Sequence, residues 1–381
     1  MYIRLRKFFH FFFNILQKMQ SLRIRSSFFK LSVIFAQNCA RPMKKRSVTI
    51  HDIARELNTT ASTVSRALQD HPRISKNMKE AVWELSQKLN YQPNSIASSL
   101  RRGRGSTIGV IVPRIDRHFF SSVIRGIEDV AYEANYNVLI CQSYDSYERE
   151  KAIVDTLTNG KVDGLLVSLA FDSSDYTHFL NVQSKNIPLI FFDRVPDLPK
   201  FSQIESNDFK GALMAVEHLI SVGCKRITYF SGPLHVSIYR KRFEGYKAAL
   251  EKHNIAFDEN LVFDRVITRE SGERAALEMS KFKNLPDGLF SAGDFSAYGA
   301  IMTFKKLGIR IPQDIAVVGF ANEPFDEMLD PPLSSVEQHS LEMGQRAARL
   351  IFEKISDPLV SSMPNSIILD AELLIRCSSM K

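Results

Sequence analysis

Ala61, Ser62, Thr63, Ser65 and Arg66 set short hydroxyls beside one guanidinium within six positions. Hydroxyls of that reach suit phosphate oxygens, and a guanidinium pairs in fork geometry with a base edge, so the chemistry on offer is nucleic-acid recognition. To be presented together, these side chains must share the outward face of a helix. The stretch 61–68 supplies one, burying Val64, Ala67 and Leu68. A preceding helix is written in Ile50, Ile53, Ala54 and Leu57, which fall on one face at helical spacing. Thr49 is a fitting N-cap, with Asp52 placed to favour the positive helix end, and Thr60 caps the second helix. Asn58 tolerates the left-handed backbone that a tight interhelical turn demands. A third helix comes next, capped by Ser75, with Met78, Ala81, Val82, Leu85 and Leu89 as its buried stripe.

The formal net charge of +8 is informative once it is located. Residues 1–42 hold eight Lys/Arg and no Asp/Glu, and residues 44–105 hold twelve basic against five acidic residues. By difference, 106–381 carry about −7. A basic module joined to an acidic body is the asymmetry expected of a nucleic-acid binder coupled to something else. Within 1–42 the longest apolar stretch, Phe8 to Leu16, is broken by His10 and Asn14, and falls short of the ~20 residues that span a bilayer. The segment lacks a small-residue cleavage site. We expect Met43 to be the true start, with 1–42 an over-extended segment, and expect no membrane partner.

Residues 93–105 read as a hinge and linker. Pro93 closes the preceding module, and Asn94 can cap a short helix over 95–101 whose apolar edge is Ile96, Ala97 and Leu100, with Arg101, Arg102 and Arg104 beside it. A helix this short is marginal alone in water, so it needs a partner to be stable.

The run from Val48-Thr-Ile-His-Asp-Ile-Ala54 through Thr63-Val-Ser-Arg66 and Asn90-Tyr-Gln-Pro-Asn94 to Ile108-Gly-Val-Ile-Val112 resembles the lactose/galactose repressor (LacI/GalR) family of bacterial transcription factors. The resemblance extends from about residue 44 to the C-terminus. It implies a homodimer on palindromic double-stranded operator DNA, with recognition helices in successive major grooves and paired hinge helices in the central minor groove. It places Arg66 at the base-reading arginine, Ala61 and Ser62 at the two variable operator-reading positions, Leu100 at the wedging leucine and Ala97 at the small packing residue.

From Ser106 onward short apolar runs alternate with amphipathic stretches. Strands are expected at Ile108–Val112, Asn137–Cys141, Gly164–Val167, Leu189–Phe192, Ile227–Phe230, Gly288–Phe290 and Ile315–Gly319, with helices at 121–134, 147–159, 208–222, 238–253, 272–282, 295–307 and 341–354. This rhythm argues parallel sheets in an α/β architecture. The expected fold is therefore an all-α helix-turn-helix head (43–92) plus an α/β two-lobe sensor of two parallel-sheet, Rossmann-like lobes, which the resemblance identifies as periplasmic-binding-protein-like. We expect lobe 1 over about 106–204 and 338–356, and lobe 2 over about 205–337 and 357–381.

Ligands in such sheets sit off the carboxyl ends of strands. Phe119 and Phe120 come after the first strand and offer apolar faces, with core packing the competing role for one of them. Ser168 stands after the third strand as a hydrogen-bonding hydroxyl. Asp193 stands after the fourth, where a carboxylate grips adjacent hydroxyls, or else serves as a cap or ion-pair partner. The resemblance places Arg242 at the family's effector arginine and Asp294 at the second member of its Asn-Asp pair, with Gly293 replacing the amide. Where the family commonly has Gly-Phe/Tyr-Asp-Asp, this chain has Gly319-Phe320-Ala321-Asn322, which leaves Asn322 as a partial substitute. Gln338, where the chain returns between the lobes, completes the set. Losing a carboxylate while keeping Arg242 points to an anionic effector, a sugar acid or sugar phosphate, among the sugar-like ligands expected.

Two other classes of function compete. An enzyme would need a catalytic constellation, and there is no GxSxG, HExxH or Walker A pattern and no Cys/His cluster. A sugar-transport binding protein would share the body but need an export signal and would not carry residues 44–105. Cys39, Cys141, Cys224 and Cys377 lie far apart without a CxxC, so neither a disulfide framework nor a thiolate zinc site is encoded, and no cofactor is expected. The expectation is a cytoplasmic regulator in which an effector that prefers one arrangement of the lobes shifts operator affinity.

Overall fold

The computed structural model describes residues 48–91, 105–357, 360 and 363–381. The chain divides into two compact units, with the division at Asn94. The reading of 1–42 and the hinge residues Asn94, Ala97, Leu100 and Arg101 lie outside the described residues.

The head consists of α1 (Ile50–Glu56), α2 (Ala61–Leu68) and α3 (Lys76–Lys88) around Ile53, Ala54, Val64, Ala67 and Val82. Its boundaries obey local chemistry. Asp52 accepts hydrogen bonds from the Thr49 amide (2.9 Å) and hydroxyl (2.7 Å) at the start of α1. The Thr60 hydroxyl accepts from the Thr63 amide at 3.1 Å to open α2. Between them Asn58 turns the chain at φ +50, the left-handed conformation a short polar side chain tolerates best after glycine.

The second unit holds two six-stranded sheets. The first is built from β1 (Thr107–Val112), then α4 (His118–Glu133), β2 (Asn137–Gln142), α5 (Tyr147–Asn159), β3 (Gly164–Val167), α6 (Thr177–Ser184), β4 (Leu189–Phe192) and β5 (Ser202–Ser206). The second takes α7 (Asp208–Ser221), β6 (Ile227–Phe230), α8 (Ser237–Lys252), β7 (Val262–Phe263), α9 (Arg269–Met279), β8 (Gly288–Ser291), α10 (Asp294–Lys306), β9 (Ala316–Phe320) and β10 (Ser334–Glu337). The chain closes with α11 (Ser340–Ser356), β11 (Ser366–Leu369) and β12 (Glu372–Leu374). Strand order is β11-β5-β4-β3-β1-β2 in one sheet and β12-β10-β9-β8-β6-β7 in the other. Every described pairing is parallel except β10 with β12.

The apolar runs in the sequence are near-continuous because these strands are buried on both faces. On β1, Val110 joins the core shared with α4 and α11, while its neighbour Ile111 joins the core on the opposite face with Leu165, Phe179 and Phe191. On β6, Tyr229 and Phe230 divide in the same way between the two cores of the second lobe. Helices α4 and α11 meet backbone to backbone: a Cβ on Gly126 would come 2.2 Å from the Leu341 carbonyl, and one on Gly344 would come 2.0 Å from that of Val123.

Two boundaries differ from the sequence reading. Strand β5 runs to Ser206 within the first sheet, and Ser366–Leu369 pairs in parallel with it. The assignment of all of 357–381 to the second lobe is therefore corrected: β11 belongs to the first lobe, and only the residues after Leu369 cross to the second. Register decides this, because β5 offers an open edge on one side of β4 and β11 fills it.

Candidate functional site: a helical reading face and a cleft between two lobes

On α2, Val64 and Ala67 are buried while Ser62 and Arg66 are exposed and Ala61, Thr63 and Ser65 half-buried. The face expected to read DNA is thus turned outward. Thr60 and Thr63 face each other with hydroxyls 2.9 Å apart, so both serve the helix start as well as offering polar atoms. Arg66 makes no ion pair with any described residue.

In the body, a cavity of about 190 Å³ opens between the lobes. From lobe 1 it is lined by Phe119, Phe120, Asp145, Phe171, Asp193 and Arg194, and from lobe 2 by Tyr239, Arg242, Asp294, Phe320, Ala321 and Glu323, with Gln338 at the crossing. The C-terminal ends of β1, β4, β8 and β9 lead into it, as ligand sites in parallel sheets require. Helix α4 begins three residues earlier than the periodicity indicates, so Phe119 and Phe120 lie in its first turn. Both are core residues and both line the cavity, their rings edge to face at 5.2 Å.

Asp193 stands just past β4 at φ +60, buried. Burial pushes its carboxyl up to about 6, opposed by the Arg194 charge. The Ser168 hydroxyl donates to its Oδ2 at 3.2 Å, so Ser168, fully buried itself, orients Asp193 and does not line the cavity. Arg194 is pinned by Asp145 and stacks 3.8 Å from the centre of the Phe171 ring.

Arg242 is 4% exposed. Its Nε donates to Asp208 at 2.7 Å, its Nη1 to the Ala292 carbonyl at 2.7 Å, and its plane covers Phe320 at 3.7 Å. Its charge is therefore already answered inside the fold, which removes the sequence argument for an anionic effector. Asp294 opens α10 and accepts from the Ser335 hydroxyl (2.8 Å) and the Glu323 amide (3.1 Å). Gly319 makes room for it, since a Cβ there would lie 2.0 Å from Asp294 Oδ1.

Asn322 is a correction. Its Nδ2 donates to Glu337 at 2.8 Å and its Oδ1 accepts from Arg376 at 2.8 Å, so the amide is consumed in a network outside the cavity lining. The turn explains it: Ala321 at φ +124 and Asn322 at φ +48 swing the chain so that Ala321 and Glu323 line the cavity instead. Burial pushes Glu323 up to about 7, helped by Asp294 and opposed by Arg117. Glu323, Phe171, Arg117 at the start of α4 and Tyr239 in the first turn of α8 were not anticipated; only their convergence on the cavity distinguishes them, and that is a tertiary property.

Across the cleft, Arg240 donates to both oxygens of Asp197 (2.9 and 2.8 Å), His235 donates through Nε2 to the Phe171 carbonyl (2.8 Å), and the Arg117 guanidinium covers the Phe295 ring at 3.9 Å. The lobes are thus in contact around the cavity rim.

Comparison with known proteins agrees with this division. Residues 49–94 match the model of bacterial regulatory proteins of the lacI family, and residues 216–379 match a periplasmic binding protein-like domain. The ribose operon repressor of Halalkalibacterium halodurans is 32% identical, over 81% of this chain and 90% of that protein. The chain belongs to the LacI family. Among solved structures of LacI-family proteins, the Lac repressor bound to ONPG in its repressed state superposes with a TM-score of 0.77 at 25% identity, covering 87% of this chain and all of that one. A LacI family transcriptional regulator from Enterococcus faecium with bound ribose gives 0.64 at 27% identity, covering 72% and 98%. This LacI-family chain is a transcriptional regulator with a helix-turn-helix DNA-binding domain and an effector-binding body. Among the described residues no helix is long and apolar enough to cross a membrane.

Proposed function

We propose that the protein binds a palindromic operator as a homodimer through α2, with Arg66 reading a base, and that a neutral sugar in the interlobe cavity sets its affinity for that operator. One observation carries the choice of ligand: both buried arginines of the cavity are already paired with carboxylates, Arg194 with Asp145 and Arg242 with Asp208. The cavity presents acceptor chemistry still unspent, from Asp193 and Gln338, between the aromatic faces of Phe119, Phe120 and Phe320. Hydroxyl donors flanked by apolar ring faces match that lining, and the two further arginines on it, Arg114 and Arg117, are held by Asp116 and by the Phe295 ring.

The ligand acts by preferring one arrangement of the lobes, and only that preference can shift DNA affinity. The protein acts in the cytoplasm, by binding and not by catalysis. Selection of bound duplexes from a random pool, with and without a panel of neutral sugars and their uronates, tests the whole reading. It should return a palindrome whose recovery changes with a neutral sugar. Response to uronates alone would overturn the ligand assignment, and absence of any preferred duplex would overturn the operator assignment.

A further inference from the structure

Asp326 is fully buried, and neither of its carboxyl oxygens finds a donor among the described residues. It sits on the short turn Asp326–Met328 that ends the loop carrying Ala321 and Glu323. Its backbone is well tied, with its amide donating to the Glu323 carbonyl at 2.9 Å and its carbonyl accepting from the Leu333 amide at 2.8 Å. Only the side chain is stranded. A carboxylate buried without a donor is among the costliest polar arrangements in a protein, and protonation relieves it by removing the charge and creating an O–H.

The groups around it favour that outcome. From α10, the Asp294 carboxyl is within hydrogen-bonding reach. Asp294's own oxygens are engaged by Ser335 on β10 and by the Glu323 amide. Glu323 adds a second acid from the loop. The cations nearby make their hydrogen bonds elsewhere, and the Arg376 charge only partly opposes the effect of burial and of Asp294 on Asp326. Arg376, beyond β12, donates to the Leu333 carbonyl, Asn322 and Glu327. Arg117, at the start of α4, stacks on Phe295 and bears on Glu323. Burial first, and then the Asp294 charge, push the Asp326 carboxyl up to about 10.

We propose that Asp326 keeps its proton at neutral pH and donates it to Asp294, and that this carboxyl–carboxylate bond holds the Ala321–Glu323 loop at the wall of the cavity. Asp326 is a positioning residue acting through Asp294. Its functional meaning rests on the cavity being the effector site, but its chemistry is tested without any ligand. Removing the proton sets two anions together with no cation between them, so the loop is released.

The test is urea unfolding of the full-length protein between pH 6 and 9, comparing wild type with Asp326→Asn and Asp326→Ala. The asparagine keeps an N–H donor and cannot ionise. Wild type must give up a proton on unfolding and the asparagine variant need not, so the ratio of their folding constants should shift by up to tenfold per pH unit in favour of the variant as pH rises. Parallel pH curves would overturn the proposal. Hydrogen exchange at pH 7 should show the Ala321 and Glu323 amides protected in Asp326→Asn and exposed in Asp326→Ala; equal exchange in the two overturns the positioning role. Should one variant fail to fold, infrared spectroscopy decides: a carboxylic-acid carbonyl band persists in the wild type at pH 8.5 and is missing from the variant that folds, the other buried carboxyls being common to both; no difference between the two overturns the proposal.

Discussion

Arg242 and Asp208 form a 2.7 Å ion pair with 4% and 1% of their surfaces exposed, so the arginine at the cleft reaches it already neutralised. The pair couples the start of α7, where the chain has just crossed from the first sheet, to α8 and the cavity. Taking away one partner strands a buried charge, so Asp208→Ala should cost about 3–5 kcal/mol, read as a lowered urea midpoint. The same variant frees Arg242 and should gain affinity for uronates while losing it for neutral sugars. Calorimetry with both would check this, and unchanged preference would count against the neutral-sugar assignment.

Asp193 should make sugar binding pH-dependent. Its free-state value of about 6 lies above the ordinary carboxylate range because it is buried. The acceptor form is therefore the minority below pH 6 and dominant above it. Affinity should be roughly tenfold weaker at pH 5 than at pH 7.5, since only the ionised fraction binds. The sign for the unliganded fold is opposite: a raised value means stability falls as pH climbs from the usual carboxylate range through 6. Asp193→Asn should flatten both profiles, which titration calorimetry and urea midpoints would show.

Ala321 occupies φ +124, a region that essentially only glycine enters without strain. Such an outlier costs on the order of 1–3 kcal/mol, offset by the extra freedom glycine has when unfolded. Ala321→Gly should stabilise the protein by about 1 kcal/mol, seen as a higher urea midpoint with unchanged slope. A lower midpoint would mean that the Cβ makes contacts worth more than the strain.

At the head, Arg66→Ala should cost about 1–3 kcal/mol at the selected operator and relax preference at one base pair per half-site. Binding to random duplex should weaken less. Fluorescence anisotropy on operator variants measures both, and the single tryptophan, Trp83, exposed on α3, reports independently that the head remains folded.

Much of this architecture was legible because it is local. Asn58, Thr60 and Ser75 declare their turns and caps through side-chain chemistry, and runs such as Leu189–Phe192 declare doubly buried strands. Ser202-Gln-Ile-Glu-Ser206 and Ser334-Ser-Val-Glu337 did not, because their hydroxyls and carboxylates are answered by partners distant in sequence: Ser334 by Ser379 and the Arg376 carbonyl, Glu205 by Lys241. The cavity was half legible. Asp193 and Gln338 stand just after a strand and at a crossing, and Arg242 and Asp294 were placed by the resemblance; all four line the cavity. Asn322 was misjudged because two consecutive positive-φ residues reverse which side chains face the cavity, and Asp326 looks like an ordinary surface acid until its burial is known.

The chain passes from sheet to sheet at three places: after Ser206, after Glu337 and after Leu369. The first and third passages leave neighbouring strands and are joined directly, Asn207 N donating to the Leu369 carbonyl at 2.8 Å. The second and third meet on the far side as the adjacent strands β10 and β12. With the connecting threads gathered in this way, the halves of the sensor can swing about one axis far more easily than they can slide or twist apart. Closing the mouth about that axis would be a single angular displacement, and the outer ends of the sheets, Thr107 on β1 among them, would travel furthest.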